Sequence, residues 1–300
     1  MSGQRPSSTA IGAAILRAAH RLIDDEPRLL DDPLAAPLSG LPDEAASRVA
    51  LDAIQREFAP YGDAALARDI VLDLRATILL RNRYAEDRLQ DAMAEGVDQY
   101  VMLGAGLDSF AHRRHDLLAR LQVFELDLPA TQAWKRARLA QLGIPSPSRL
   151  HYIETDFEQQ TPLQALGGSA FDASRPAVFS WLGVTSYLSE AAVFATLRDL
   201  ADAAVGSIVV FSYALAESLV DERGRRISAA LKARVAARNE PAAHGGFRPD
   251  ALTKALREMG YGDIEDLDVA GAQQRYFAPR GDGLASPPMT QLMSAVVGAR

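Results

Sequence analysis

Cysteine is missing from all 300 residues, and its absence removes disulfide frameworks, zinc-thiolate sites and cysteine nucleophiles together. A chain without it is expected in a reducing, cytoplasmic compartment. An excess of positive charge is missing too. With 32 Lys and Arg against 39 Asp and Glu, the net charge is −7, which leaves no basic footprint for nucleic-acid phosphates or anionic lipid headgroups. A small molecule or a protein is the expected partner, with no nucleic acid and no membrane. No run of ~18 apolar residues occurs, the length a membrane span needs. The first apolar stretch is broken by Arg17, His20 and Arg21, so no signal peptide is expected there. Aromatic residues make up only 7% of the chain.

Hydrophobic residues reach 48% and charged residues 24%, enough apolar content for one large domain or a domain with an appendage. Apolar positions recur three and four apart through Ala10–Ile23, Ala45–Phe58 and Ala64–Met93, the stripe of amphipathic helices. Asp31-Asp32-Pro33, Pro37, Pro42 and Pro60-Tyr61-Gly62 punctuate them. From Gln99 the texture changes to short apolar strands alternating with helices, the pattern of a parallel sheet covered on both faces. The strand candidates are Gln99–Leu103, Gln122–Leu126, Leu150–Thr155, Ala177–Leu182 and Ser207–Tyr213, with a weaker one at Ile264–Val269. Helical patterns occupy Phe110–Arg120, Ala130–Leu142, Pro162–Leu166, Glu190–Ala204, Glu217–Arg238 and Pro249–Met259. Gln291–Val297 reads as a last strand or a short helix. The expected fold is α/β: a doubly wound, mostly parallel seven-stranded Rossmann-like sheet. Residues 1–96 would form a helical segment capping the site, and 97–300 the core, with a helical insertion at about 214–248.

Tyr100-Val101-Met102-Leu103 runs straight into Gly104-Ala105-Gly106-Leu107-Asp108-Ser109 and then a helix. In that context glycines let the backbone take positive φ and approach a ligand closely. Two carboxylates, Glu125 and Asp127, follow about 20 residues later, where ribose hydroxyls are gripped in nucleotide-binding α/β folds; either one could instead cap the next helix. A dinucleotide would use the same turn, but its third glycine is replaced here by Ser109. Asp108 is unfavourable beside a diphosphate and favourable beside a sulfonium or an amino group. That choice favours S-adenosylmethionine as the ligand, although aspartate is also common as a plain turn residue.

Together, Arg81-Asn82-Arg83-Tyr84, VMLGAGLDS, VFELDLPATQAWK, ETDF and Tyr187-Leu188 resemble the leucine carboxyl methyltransferase family, in particular its bacterial branch of polyketide-type S-adenosylmethionine-dependent O-methyltransferases. The resemblance spans roughly Thr9 to Ala295. It implies a class I methyltransferase in which Gly104, with Ala105 and Gly106, underlies the donor and Asp127 binds its ribose. Asp156 and Phe157 would flank the adenine, and Arg81, with Arg17, would hold the methionine carboxylate. One position departs from the family: Leu182 stands where leucine carboxyl methyltransferases proper have Glu. Backbone groups of Trp181 and Leu182 could still line the donor pocket.

Methyl transfer from a sulfonium is an in-line displacement that needs alignment and exclusion of water more than acid-base groups. A carboxylate acceptor needs no base, whereas a hydroxyl needs one. His244, in a loop, and Tyr187 are the candidate catalytic side chains. Trp181, Tyr187, Tyr213, Phe247 and Tyr276 could furnish an apolar pocket for a small, partly aromatic or polyketide-like acceptor. His112 and His115 are separated by two arginines, so no metal site is expected. Two alternatives stay open: an NAD-linked oxidoreductase, and a non-catalytic S-adenosylmethionine-binding interaction protein.

Overall fold

The apolar stripes resolve into helices wherever the three-four spacing is sustained. In the computed structural model, which describes residues 8–237, 245–278 and 280–299, the chain opens with α1 (Ser8–Ile23), α2 (Ala35–Leu38), α3 (Glu44–Glu57) and the long α4 (Ala64–Ala94). Asp43 and Asp63 cap α3 and α4, each accepting the backbone N–H three residues ahead, which satisfies one of the orphan donors of a helix start. Described strands begin at β1 (Gln99–Leu103), followed by α5 (Phe110–Arg113), α6 (His115–Leu118), β2 (Gln122–Asp127), α7 (Pro129–Gln141) and β3 (Leu150–Glu154). The expected single helix after the Gly-rich turn is thus two short ones. They part at Arg114, whose guanidinium bonds Glu86 and Asp116.

The second half continues with α8 (Pro162–Leu166), β4 (Val178–Trp181), α9 (Glu190–Leu200), β5 (Ile208–Ala214), α10 (Glu222–Ala237), α11 (Pro249–Glu258), β6 (Tyr261–Leu267), α12 (Val269–Ala272) and β7 (Thr290–Val297). The seven strands run β3-β2-β1-β4-β5-β7-β6. All neighbours through β5 are parallel, and β7 lies antiparallel between β5 and β6. The tail at 291–297 is therefore a strand. It reads poorly in sequence because it is buried almost throughout, and a strand covered on both faces loses the apolar-polar alternation.

The sheet separates two apolar layers. On one face Leu79, Leu80, Tyr84 and Leu89 of α4 pack over Tyr100, Met102 and Val210. On the other, Val193 and Leu197 of α9 with Leu252 and Leu256 of α11 cover Val101, Phe179 and Phe211. A third cluster joins Leu16, Ile70, Val71 and Ile78 to Ile227 and Ala230, so α1, the first half of α4 and α10 share a smaller core. The hydrogen bond from Tyr84 to Ser294, which faces Val210 in the middle of β5, sets the height of α4 on the sheet. One turn earlier, Arg81 reaches Gly183, just past the end of β4. Moving towards its N-terminus, α4 therefore climbs to the carboxyl edge of the sheet and beyond. No described helix is long and apolar enough to cross a membrane.

Candidate functional site

In open α/β sheets ligands bind outside the carboxyl ends of the strands where the order reverses, which here is between β1 and β4. Gly104 and Gly106 both have positive φ, 72° and 56°, and the N–H groups of Gly104 and Ala105 converge on the carbonyl of Leu126 at 2.8 and 3.2 Å. A Cβ on Gly104 would lie 2.8 Å from a methyl of Val184, so only glycine keeps this floor open. Asp127 ends β2 beside the turn. It accepts the N–H of Gly106 on one oxygen and that of Leu128, at 2.7 Å, on the other. Burial pushes its carboxyl above the usual range, and these two N–H groups partly restore it. Each oxygen has two lone pairs, so the pinned carboxylate keeps acceptor capacity beyond these two N–H groups.

Glu125 is different. It lies one pleat deeper on the same face, is 1% exposed, and receives a hydrogen bond from the buried Lys135 ammonium at 2.6 Å. Burial raises its pKa against the pull of Lys135. The Glu125 carboxylate is thus an interior partner of α7 through Oε2, while its Oε1 is buried without a hydrogen-bond partner. Asp108 does the work of a turn residue. One oxygen accepts Phe110 N–H at 2.7 Å and the other accepts Asn82 Nδ2 at 3.1 Å, while its charge acts on Arg81.

Arg81 is the cation of the site. Its guanidinium lies against Gly183, where a Cβ would come within 1.8 Å of Nη1, so the glycine is required by the arginine. Nε is buried without a hydrogen-bond partner, and among the described residues no carboxylate pairs with the side chain. Burial, and next the repulsion of Arg17, pull its pKa down to about 10, with Tyr187 and Asp108 opposing. It remains a cation at neutral pH. Arg17, in contrast, is spoken for. It is 4% exposed, donates Nε to Asp32 at 2.8 Å and Nη2 to the Leu107 carbonyl at 2.6 Å, and so ties α1 to the Gly-rich turn. Asp32 also accepts the Ser109 hydroxyl at 2.6 Å. Burial would raise the Asp32 carboxyl, but Arg17 and then Ser109 outweigh it and hold the pKa below the usual value.

Asp156 and Phe157 follow β3 on the same edge. The Asp156 carboxylate closes its own turn, accepting Glu158 N–H at 3.0 Å and Gln159 Nε2 at 2.9 Å. The Phe157 ring is half-buried against the core. Trp181 is a core residue, its ring 6.5 Å from that of Phe211, which leaves only its backbone at the strand end. Leu182 is half-buried beside it. The loop beyond is pinned to β5, Ser212 accepting Gly183 N–H at 2.7 Å and its carbonyl accepting the Thr185 hydroxyl at 2.7 Å.

The single aromatic pocket is corrected. Trp181, Tyr213 and Phe247 are buried in the core on one face of the sheet, Tyr276 is buried on the opposite face, and Tyr187 is 67% exposed in the loop after β4. His244 lies outside the described residues. His112 is buried, with its pKa pushed down to about 4 by burial first and Lys135 next, and no described group of three His, Asp or Glu could hold a metal ion. Asp32, Asn82 and Lys135 were not anticipated. Asp32 carried only the mark of a turn, and Lys135 is one of three cations in α7, beside Arg136 and Arg138.

The leucine carboxyl methyltransferase family model matches residues 10–201. A Bacillus subtilis protein named "Putative S-adenosyl-L-methionine-dependent methyltransferase YktD" is 31% identical over 216 residues, covering 72% of this chain and 70% of that protein. A Mycolicibacterium paratuberculosis protein with the same designation, without the final symbol, is 26% identical over 298 residues, covering 96% and 86%. Among solved structures, a DUF574 family protein from Streptomyces avermitilis has a TM-score of 0.56 at 18% identity, covering 95% of this chain and 96% of that one; it shares the fold.

Proposed function

The chain belongs to the leucine carboxyl methyltransferase family, and from that premise we infer that it transfers a methyl group from S-adenosylmethionine to an oxygen of a small-molecule acceptor. The observation that carries the reading is Arg81, a guanidinium held against Gly183 that has a buried, unbonded Nε and no ion-pair partner among the described residues. A cation left unpaired at the carboxyl edge of the sheet is poised for a carboxylate, and charge-assisted bonds of this kind are the strong ones. Asp127 receives the ribose hydroxyls on the lone pairs its two N–H contacts leave free. Gly104 keeps the floor clear, and Asp156 and Phe157, just past β3, flank the adenine. Arg17 acts at second hand, drawing α1 over the turn. On this reading the helices of residues 8–96 cap the donor site, with α10 beside them.

Bound S-adenosylmethionine supplies an electrophilic methyl on a sulfonium; the protein aligns the acceptor and keeps water out. A dinucleotide fits poorly. Its pyrophosphate would need free N–H groups at the helix start, and here the Asp108 carboxylate already takes that of Phe110. Leu182 offers no carboxylate for a peptide-terminal substrate, which favours a small apolar acid or alcohol, a polyketide-like molecule among them. Calorimetry with S-adenosylhomocysteine and with NAD tests the ligand assignment: micromolar binding of the first and none of the second is expected, and the reverse would overturn it.

A further inference from the structure

Asp73 sits on α4 eight residues before Arg81, ~12 Å further along the helix at a rise of about 1.5 Å per residue. Since α4 climbs past the carboxyl edge of the sheet in that direction, Asp73 lies beyond that edge, in the part of α4 that packs with α10. It is 4% exposed, yet its Oδ1 has no hydrogen-bond partner and no described cation comes within ion-pair distance of it. Around it, Ile70, Val71 and Leu74 of α4 belong to the small apolar core shared with Ile227 and Leu231 of α10. The charged groups that act on it are Arg223 and Asp221, at the opening of α10; burial, the largest influence, pushes its pKa up to about 7. A buried carboxyl without a partner is a stability cost that calls for an explanation. An apolar enclosure with one convergent polar group is the form small-molecule sites take.

We propose that Asp73 is the acceptor-binding carboxyl of the enzyme, taking a hydrogen bond and then the proton from a hydroxyl group of an otherwise apolar acceptor. This rests on the O-methylation reading and narrows it to hydroxyl acceptors. In the step, the hydroxyl oxygen forms a bond to the methyl carbon as the carbon-sulfur bond breaks. The electron pair of that bond goes to sulfur, and the hydroxyl proton passes to an Asp73 oxygen, leaving a methyl ether, S-adenosylhomocysteine and a protonated carboxyl.

The test uses the full chain, its Asp73→Asn and Asp73→Ser variants, labelled S-adenosylmethionine, two hydroxyl probes (2-naphthol and catechol) and two acid probes (benzoate and octanoate). The wild type is expected to methylate a hydroxyl probe with a kcat that rises through pH ~7. Both variants should lose at least about 100-fold of that kcat, within the range a general base contributes, together with the rising limb. Their affinity for S-adenosylhomocysteine by calorimetry should stay within about twofold, and their thermal midpoint at pH 8 should rise, because a buried charge has been removed. Hydroxyl methylation by either folded variant at the wild-type rate overturns the proposal. So does a wild type that methylates only the acids, which would leave O-methylation standing. A wild type that binds S-adenosylhomocysteine but methylates none of the four probes would overturn both.

Discussion

The two sides of the candidate site are built on opposite principles. Around the Gly-rich turn nearly every polar group is satisfied from within: Asp127 by two N–H groups, Asp108 by Phe110 and Asn82, and Arg17 by Asp32 and Leu107. Along α4 two charged groups lack a full set of partners among the described residues, Arg81 with a buried Nε beside Gly183 and Asp73, towards α10, with a buried Oδ1. A satisfied network is rigid and presents a fixed shape. Unpaired buried charges cost stability and mark where a ligand completes the structure. On the proposed reading the floor of the donor site is preorganised, whereas Arg81 and Asp73 are left for groups of the ligands.

Arg81→Leu tests that contrast most severely. Losing two charge-assisted contacts to one carboxylate should weaken S-adenosylhomocysteine by about 3 kcal/mol or more, over 100-fold. Methylthioadenosine, which lacks the carboxylate, should bind as before. The free variant should also melt higher, since a buried unpaired charge is gone. Equal weakening of both ligands would assign Arg81 a merely structural role.

Asp127→Ala comes next, at about 1–3 kcal/mol, the cost of hydrogen bonds to a charged group. Here both ligands should weaken alike, because both carry the ribose. Asp32→Asn is smaller, about 1 kcal/mol, and acts through Arg17 and Ser109. It should be felt by S-adenosylhomocysteine more than by methylthioadenosine.

Asp32 and Asp73 also oppose each other in pH dependence. The Asp32 pKa is lowered from 3.8 in the folded state, so its contribution is present above pH ~4 and lost as pH falls through the folded value. The Asp73 pKa is raised from 3.8 to about 7, so the folded state binds the extra proton and stability declines as pH rises from ~4 through ~7. Thermal midpoints from pH ~2 to 8 should show Asp32→Asn flattening the acid limb below pH ~4 and Asp73→Asn flattening the decline between pH ~4 and ~7. The same slope in variant and wild type would contradict either assignment.

What could be read in the sequence follows the same division. The span Gln99–Leu103 and the turn after it were legible to the residue, because a buried parallel strand and a pair of glycines needing positive φ leave strong local marks. Asp127 was legible as one of two acidic residues, but which of them reaches the rim depends on where β2 ends, and that is set by its neighbours. Arg81 carried no local mark and was found through the family resemblance. Asp32 looked like turn punctuation, since its partners Arg17 and Ser109 lie 15 and 77 residues away. The five aromatic residues looked like one pocket only until the sheet put Tyr276 on the far face.

Glu125→Gln should have the smallest effect on the donor and a large one on the fold, which separates the interior of the site from its rim. Glu125 and Asp127 share a face of β2, so a ribose could be imagined against either. The structure gives Glu125 to Lys135, both of them buried. Removing one partner of a buried pair leaves the other charge uncompensated, at about 3–5 kcal/mol. The thermal midpoint should accordingly fall by many degrees while S-adenosylhomocysteine affinity, measured well below that midpoint, changes less than about twofold. Pairing Glu125→Gln with Lys135→Met should recover most of the stability, because replacing both members of a buried pair is often close to neutral. A folded Glu125→Gln protein that loses donor affinity as Asp127→Ala does would instead return Glu125 to the ribose. The pinned carboxylate of Asp127 would then be left as a device for holding Gly106.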